Sequence, residues 1–86
     1  MPSHKTHPQI IARLKRADGH LRKIIQMLEE QRACIDVAQQ LQAVEKAITS
    51  AKKTLVHDHI DHCLDEAVLH QSETAMTEFK DITKYL

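Results

Sequence analysis

The chain has 86 residues, no net charge, one tyrosine, one phenylalanine and no tryptophan. So short a chain buries a modest core, and we expect one domain over residues 1–86 that self-associates or is stabilised by a metal or a disulfide. It contains no bilayer-length apolar run, and its polar start, MPSHKTHPQ, lacks a signal-peptide core, so we expect a cytoplasmic protein without membrane contact. In that compartment the two cysteines serve as ligands or reactive thiols sooner than as a disulfide.

The charge is unevenly distributed along the chain. Residues 1–56 contain ten Lys and Arg against five Asp and Glu, whereas residues 57–86 contain two against seven. This asymmetry favours an anionic partner, such as nucleic acid, at the basic end. The alternative is that uneven charge merely solvates the helix faces.

One glycine and two prolines, both within the first eight positions, predict an all-helical chain. Residues 1–6 are expected to form a flexible N-terminal segment. The capping-box pattern THPQ at residues 6–9 predicts that the first helix begins there. Its apolar residues recur at alternating steps of four and three, which is a heptad seam that should end in the polar turn at residues 30–33. The residues of this seam are Ile10, Leu14, Ala17, Leu21, Ile24 and Leu28.

A second helix is predicted over residues 35–69, where no breaker occurs. A helix longer than thirty residues without internal caps is typical of a coiled coil or a bundle. Ser72 predicts the cap of a short third helix, and the expected fold is an all-α, three-helix protomer with a long central helix. The second seam contains Val37, Leu41, Val44, Ile48, Ala51 and Leu55, and the third helix carries Ala75, Phe79, Ile82 and Leu86 on one face.

The stretch HDHIDHC, residues 57–63, concentrates three histidines, two aspartates and a cysteine in seven positions. His59 and Cys63 are four residues apart and project from the same helix face, so an imidazole and a thiolate could bind one metal ion. His57 and His62 point away from this pair. We expect both to be solvated or to contact the ligands.

The other cysteine, Cys34, lies 25 residues before His59, near the start of the same predicted helix. At 1.5 Å per residue the two are about 38 Å apart along the axis, so they cannot share a metal within one unbroken helix. Two copies packed antiparallel would bring Cys34 of one chain to His59 and Cys63 of the other, giving a homodimer with two equivalent sites. The alternative is that Cys34 is a small buried apolar residue.

A catalytic role is the alternative from a different class, with Cys63 as nucleophile and His59 or His62 as base. However, no carboxamide or glycine-rich oxyanion element accompanies these residues, and a three-helix chain offers little pocket. The sequence therefore argues against an enzyme.

Several stretches resemble the copper-sensing repressor family, CsoR/RcnR, which also includes sensors of nickel, cobalt, formaldehyde and persulfide. They are RLKRADGHL, the MLE before Cys34, CIDVAQQLQAVEKAI and LVHDHIDHCLDEAVL, and they cover the chain from Arg13 to about Leu69. The family's ligand pattern is a cysteine, a histidine 25 residues later and a cysteine or histidine four residues after that. Cys34, His59 and Cys63 match this pattern without gaps.

The resemblance implies an antiparallel homodimer that assembles as a dimer of dimers, lacks a helix-turn-helix and represses efflux or detoxification genes. It implies that metal bound between subunits weakens the grip on operator DNA. A glutamate of the last helix lies behind the ligands in copper sensors, and Glu78 matches it if one residue is deleted before it. The tyrosine usual before the first cysteine is Ala33 here, which departs from the copper pattern.

Two thiolates and one imidazole form a soft, three-coordinate set, so we predict Cu(I) as the effector. A further nitrogen ligand would favour Ni(II) or Co(II), and the N-terminal segment offers His4 and His7. The family's N-terminal ligand aligns near Pro2 instead. Formaldehyde sensors of the family use an N-terminal proline with the first cysteine, here Pro2 and Cys34. Persulfide sensors lack the histidine, so His59 argues against that effector.

Basic residues recur at steps of three and four beside the apolar seam of the first helix. We call this set the basic stripe: Arg13, Arg16, His20 and Lys23. With no aromatic residues interleaved, phosphate contacts and groove shape should dominate binding to double-stranded operator DNA. A solvated basic face is the alternative.

The resemblance implies that Arg13 and Lys15 match basic positions needed for operator binding. A family arginine on the middle helix is Ser50 here, and Lys52 and Lys53 are its candidate substitutes. The predicted DNA-binding residues are Arg13, Lys15, Arg16, Lys23, Lys52 and Lys53.

Overall fold

The computed structural model describes residues 5–86 as three helices followed by a short turn of 3-10 helix. The helices are α1 (His7–Glu29), α2 (Cys34–His70) and α3 (Glu73–Ile82), and the turn is Thr83–Tyr85. The predicted all-α, three-helix protomer with a long central helix is therefore confirmed. The helix α2 has 37 residues, about 56 Å at 1.5 Å per residue. This length matches the longest dimension of the molecule, 56 Å.

The helices α1 and α2 form an antiparallel hairpin. Arg13 hydrogen-bonds to Ser50, and His20 hydrogen-bonds to Gln40. The later residue on α1 thus pairs with the earlier residue on α2, which is the antiparallel order. This register places the start of α1 beside the second half of α2. The short helix α3 folds back against that same end of α2, as the contact between Cys63 and Glu78 shows.

The core of the hairpin consists of every second residue of the two predicted seams. Along α1, and along α2 as far as Ala51, the buried side chains recur every seven residues. Ile24, Val37 and Val44 form one cluster with Met27 packed against it. The buried seam residues are Ile10, Ala17, Ile24, Val37, Val44 and Ala51. Further along α2 the buried line continues through Val56 and Cys63 towards Ala75 of α3.

The alternate residues of both seams are exposed on one flank of the hairpin. They are between 37% and 57% exposed, although each is a leucine or isoleucine. We call this set the exposed seam: Leu14, Leu21, Leu28, Leu41, Ile48 and Leu55. An apolar stripe along two adjacent helices has the pattern of a coiled-coil surface that lacks its partner.

The predicted capping box at the start of α1 is wrong. Thr6 precedes the helix with right-handed helical dihedral angles and makes no side-chain cap bond. Its hydroxyl is buried, with no hydrogen-bond partner among the described residues. The helical dihedral angles of Thr6 account for the missing bond, because a capping residue normally has extended angles that aim its side chain at the N–H groups of the first turn. The early proline itself is confirmed.

Two further helix ends, the C-terminus of α1 and the N-terminus of α3, are capped in different ways. The polar turn predicted after α1 is confirmed: Gln31 has a left-handed φ of 58°, and the N–H of Arg32 donates to the carbonyl of Met27. This is a Schellman-type end without its usual glycine. The predicted cap at Ser72 is also confirmed, since its hydroxyl accepts a hydrogen bond from the N–H of Ala75 at 3.1 Å.

In the described part of the chain, none of the helices combines the length and the hydropathy that crossing a bilayer requires.

Candidate metal centre and nucleic-acid face

Three side chains with metal-binding chemistry meet where α3 folds against α2. His59 and Cys63 lie one turn apart on α2, and Glu78 approaches from α3. One ligand atom from each of the three lies within 4.8 Å of the others. The cluster combines a nitrogen, a sulfur and an oxygen donor, which is a set that borderline transition-metal ions accept.

Cys63 is the most enclosed member of this cluster, with 1% of its surface exposed. Its Sγ donates a long hydrogen bond to Oε2 of Glu78 at 3.9 Å. Burial raises the pKa of the Cys63 thiol above its ordinary value, and the charge of the Glu78 carboxylate and this hydrogen bond raise it further. The free protein therefore keeps Cys63 protonated at neutral pH, and a metal ion has to displace that proton.

Cys34 lies at the opposite end of α2 from this cluster. It is the first residue of α2, its thiol is exposed, and neither cysteine forms a disulfide. The unbroken helix separates Cys34 from His59 by about 38 Å along the axis. Because the thiol of Cys34 is exposed, the interpretation of Cys34 as a buried apolar residue is wrong. Within one protomer, the predicted trio of Cys34, His59 and Cys63 does not come together.

Three other histidines that the sequence singled out, His57, His62 and His7, are not among the three residues of this cluster. His57 is exposed and His62 is half-buried with a partner of its own. His7 was expected before the first helix but is the first residue of α1, which begins one residue ahead of Pro8. The hairpin register brings the start of α1 towards the end of α2 that carries His59. His4, the other expected N-terminal ligand, lies outside the described residues.

The basic stripe faces a polar groove between α1 and α2. The guanidinium of Arg13 donates to the hydroxyl of Ser50 at 2.6 Å, and His20 hydrogen-bonds to the side chain of Gln40. Arg16 lines the same groove beside Arg13. These bonds connect α1 to α2 on the flank opposite the exposed seam, so the apolar stripe and the basic stripe occupy different sides of the hairpin.

Towards the turn the groove widens into a cavity of about 700 Å³. Lys23 and His20 line it together with Arg32, which belongs to the turn after α1. Arg32 lies outside the helical repeat that defines the basic stripe, so periodicity alone does not predict its place here. Only the fold of the hairpin brings its charge beside that of Lys23.

The three other predicted DNA-binding lysines lie apart from the stripe. Lys15 is exposed on α1, outside the groove. Lys52 and Lys53 are both exposed on α2, and Lys53 lines a shallow surface depression with Ser50. Ser50 thus connects the groove to the neighbourhood of Lys53.

Both the sequence and the fold of this chain are similar to those of known proteins. Residues 6–85 match the family described as metal-sensitive transcriptional repressors. The chain is 40% identical over 74 residues to the copper-sensing transcriptional repressor CsoR of Mycobacterium ulcerans, covering 85% of this chain and 63% of that protein. It is 37% identical over 83 residues to the copper-sensing repressor CsoR of Bacillus subtilis, covering 95% of this chain and 82% of that protein. The chain thus spans less than two thirds of the mycobacterial relative.

Among solved structures, the nickel-responsive transcriptional regulator InrS superposes with a TM-score of 0.83 at 27% identity. The superposition covers 100% of this chain and 99% of the other. The relatives thus include sensors named for copper and a regulator named for nickel, and all of them are transcriptional regulators rather than enzymes. A family match over nearly the whole chain, the curated relatives and the shared fold together identify the chain as a member of the metal-sensitive transcriptional repressor family that contains CsoR.

Proposed function

We propose that this repressor binds operator DNA in its metal-free form and is released when Cu(I) binds between two subunits. Cys34 of one protomer joins His59 and Cys63 of the other, and release allows expression of metal-efflux genes. The active species is an antiparallel homodimer, which pairs into a dimer of dimers and acts in the cytoplasm.

The observation that carries this proposal is the pairing of an incomplete site with an uncovered seam. His59 and Cys63 are in place on α2, whereas the exposed thiol of Cys34 lies at the far end of the same helix. The exposed seam runs between these two ends. A second copy packed antiparallel would cover the seam and bring each Cys34 to the opposite His59 and Cys63.

The donor set supports Cu(I) as the effector. Two cysteine sulfurs and one imidazole form a three-coordinate set, and soft thiolate ligands favour Cu(I). Two relatives, from Mycobacterium ulcerans and Bacillus subtilis, are named as copper sensors.

Ni(II) or Co(II) is the second candidate, favoured by a specific observation at the start of α1. His7 is half-buried there, on the part of α1 that runs beside the second half of α2. An added imidazole from His7 or His4 would supply the fourth ligand that Ni(II) favours. The nickel-responsive InrS shares the fold. A formaldehyde sensor that uses Pro2 and Cys34 is the non-metal candidate, and Pro2 lies outside the described residues.

For the operator, we propose that the basic stripe and the groove beside it contact the DNA backbone. Arg13, Arg16 and Lys23 offer charge along about three turns of α1, and Arg32 extends it at the turn. Lys15, Lys52 and Lys53 are further candidate contacts. Because no phenylalanine, tyrosine or tryptophan lines this groove among the described residues, phosphate contacts should supply most of the affinity.

A titration of operator release tests the proposed function. The repressor–operator complex is titrated anaerobically with buffered Cu(I), with buffered Ni(II) and with formaldehyde, and DNA binding is followed by fluorescence anisotropy. Release at the lowest free concentration by Cu(I) is the expected result. Release by Ni(II) or formaldehyde alone would replace the effector, and failure of the metal-free protein to bind DNA would overturn the repressor mechanism.

A further inference from the structure

We propose that Glu78 is a direct oxygen ligand for divalent metal ions, which completes a site with His59 and Cys63 inside one protomer, while Cu(I) binds without it. This inference deepens the proposed function, on which it rests for the shared Cu(I) site. It assigns to one residue of α3 the discrimination between a divalent ion and Cu(I).

The three donor atoms lie close to the spacing that one metal ion requires. Donor atoms bound to one tetrahedral ion at 2.0–2.3 Å are separated by about 3.3–3.8 Å. Oε2 of Glu78 lies 3.9 Å from Sγ of Cys63, and all three donors lie within 4.8 Å of one another. Adjustments of about 1 Å, within reach of side-chain rotations, would place all three on one ion.

The carboxylate oxygen of Glu78 suits a divalent ion better than it suits Cu(I). A carboxylate is a hard ligand that Zn(II), Co(II) and Ni(II) accept, whereas Cu(I) prefers thiolate and imidazole. With Cys34 from the other protomer, Glu78 would give a divalent ion four ligands. Cu(I) would be satisfied by the two sulfurs and the imidazole alone.

The charges at the site also favour a divalent ion. The buried Sγ of Cys63 lies 3.9 Å from Oε2 of Glu78, so an ion bound here would lie between two anionic donors. A divalent cation is attracted to both of them. A monovalent ion provides half of that charge. The arrangement therefore favours the divalent ion beyond the preference of the oxygen itself.

The consequence lies in α3. This helix has 10 residues, and Ala75 is its one residue in the buried core, so its hold on α2 is modest. A bond between the metal and Glu78 would tie α3 to α2, whereas a Cu(I) ion that leaves Glu78 unbound would not. Divalent ions and Cu(I) would thus leave the same repressor with α3 held to different degrees.

The test compares Glu78→Gln with Glu73→Gln in the full chain. Both changes remove one negative charge from α3, but Glu73 lies in its first turn, away from the metal ligands. Affinities for Zn(II) and Cu(I) are measured by chelator competition without DNA, and the visible absorption of bound Co(II) reports on its ligands. We expect Glu78→Gln to weaken Zn(II) binding by about 10-fold to 100-fold and to alter the Co(II) spectrum.

Cu(I) affinity should fall far less than Zn(II) affinity in Glu78→Gln, and both affinities should be unchanged in Glu73→Gln. This result also shows that Glu78→Gln is folded. Unchanged Zn(II) affinity with an unchanged Co(II) spectrum would overturn the inference. An equal loss of Zn(II) and Cu(I) affinity would overturn it too, because it would reveal a general electrostatic role for the carboxylate.

A Cys34→Ala variant separates this inference from the proposed function. It retains His59, Cys63 and Glu78, so it should still bind Co(II), more weakly, with the absorption of a single thiolate ligand, and it should lose high-affinity Cu(I). Retained Cu(I) affinity would overturn the shared site of the proposed function and leave the role of Glu78 standing. Loss of all Co(II) binding would overturn the protomer-internal site.

Discussion

Cys63 lies at the meeting point of burial, negative charge and metal chemistry. Its raised pKa means that the neutral thiol is the stable form of the folded protein. This contribution to stability is fully present below the pKa of an unfolded cysteine and is lost as the pH rises through the higher value of the folded state. Alkaline pH thus destabilises the metal-free protein through this residue and assists metal binding, because both effects follow from losing the same proton.

In a Cys34→Ala protein, Cys63 is the one remaining thiol. We expect its thiolate, followed by ultraviolet absorption, to form at a pH above the ordinary pKa of cysteine. Glu78→Gln should move that titration to lower pH, because it removes the negative charge that favours the neutral thiol. The midpoint should stay above the ordinary value, because burial is the largest cause of the raised pKa and remains. A Cys63 pKa at or below the ordinary cysteine value in the Cys34→Ala protein that retains Glu78 would contradict this account.

Arg13 is the residue whose role in DNA binding is most sharply testable. Arg13→Ala should weaken binding to operator and non-operator DNA alike and reduce the slope of log affinity against log salt by about one. Ser50→Ala is the matched control, since it removes the hydrogen bond at 2.6 Å and keeps the charge. Anisotropy titrations over a range of salt concentrations measure both variants. Equal effects of the two changes would mean that the bond, not the phosphate contact, matters.

At the scale of one element, α1 contains a weak point in its middle. Gly19 is the single glycine of the chain, it is exposed on α1, and a Cβ added there would meet nothing within 4 Å. A glycine inside a helix is less favourable than alanine by about 1 kcal/mol. Among residues 5–86, no close contact at this position compensates for that loss.

Gly19→Ala should therefore raise the free energy of unfolding by about 1 kcal/mol per chain. Urea denaturation followed by circular dichroism at fixed protein concentration would measure it. The comparison variant Ala12→Gly, at another exposed position of the same helix, should lower stability by a similar amount. A destabilised Gly19→Ala protein would show that a side chain there meets a surface outside the protomer.

At the scale of the whole molecule, the exposed seam predicts self-association. Ile48 is 44% exposed on α2, between the buried Val44 and Ala51. Ile48→Glu should dissociate the oligomer, because it sets a charge in an apolar interface, while leaving the core of the hairpin in place. Thr49→Glu, on the adjacent exposed position outside the seam, should not. Sedimentation velocity distinguishes the results, and a folded monomeric parent protein at micromolar concentration would contradict the prediction.

The shared metal site makes a second prediction at this scale. Cys34→Ala and the double variant His59→Ala with Cys63→Ala should each lose high-affinity Cu(I) binding. In their heterodimer one complete site is restored, because the intact Cys34 of one chain meets the intact His59 and Cys63 of the other. Mixing the two proteins should therefore recover Cu(I) binding, read from thiolate-to-metal charge-transfer absorption. No recovery in a mixture shown to contain heterodimers would rule out the shared site.

By itself the sequence determined the three helices, their approximate ends and the two heptad seams. These features depend on periodicity and on local chemistry, such as the Ser72 cap, which neighbouring residues largely define. It also determined that His59 and Cys63 share a face, because four residues make about one turn of any α-helix. The ligand spacing of the family matches Cys34, and the family's glutamate of the last helix matches Glu78.

Only the tertiary structure decided which half of each seam is buried within the protomer. A heptad pattern defines an apolar face but not how that face is divided between a helix of the same chain and a second copy. The fold likewise decided that Arg32 joins the basic groove and that Thr6 leaves its cap unmade. It brought Glu78 to Cys63 as well, since their contact depends on how α3 packs on α2, and no periodicity along one helix encodes the rotation between two.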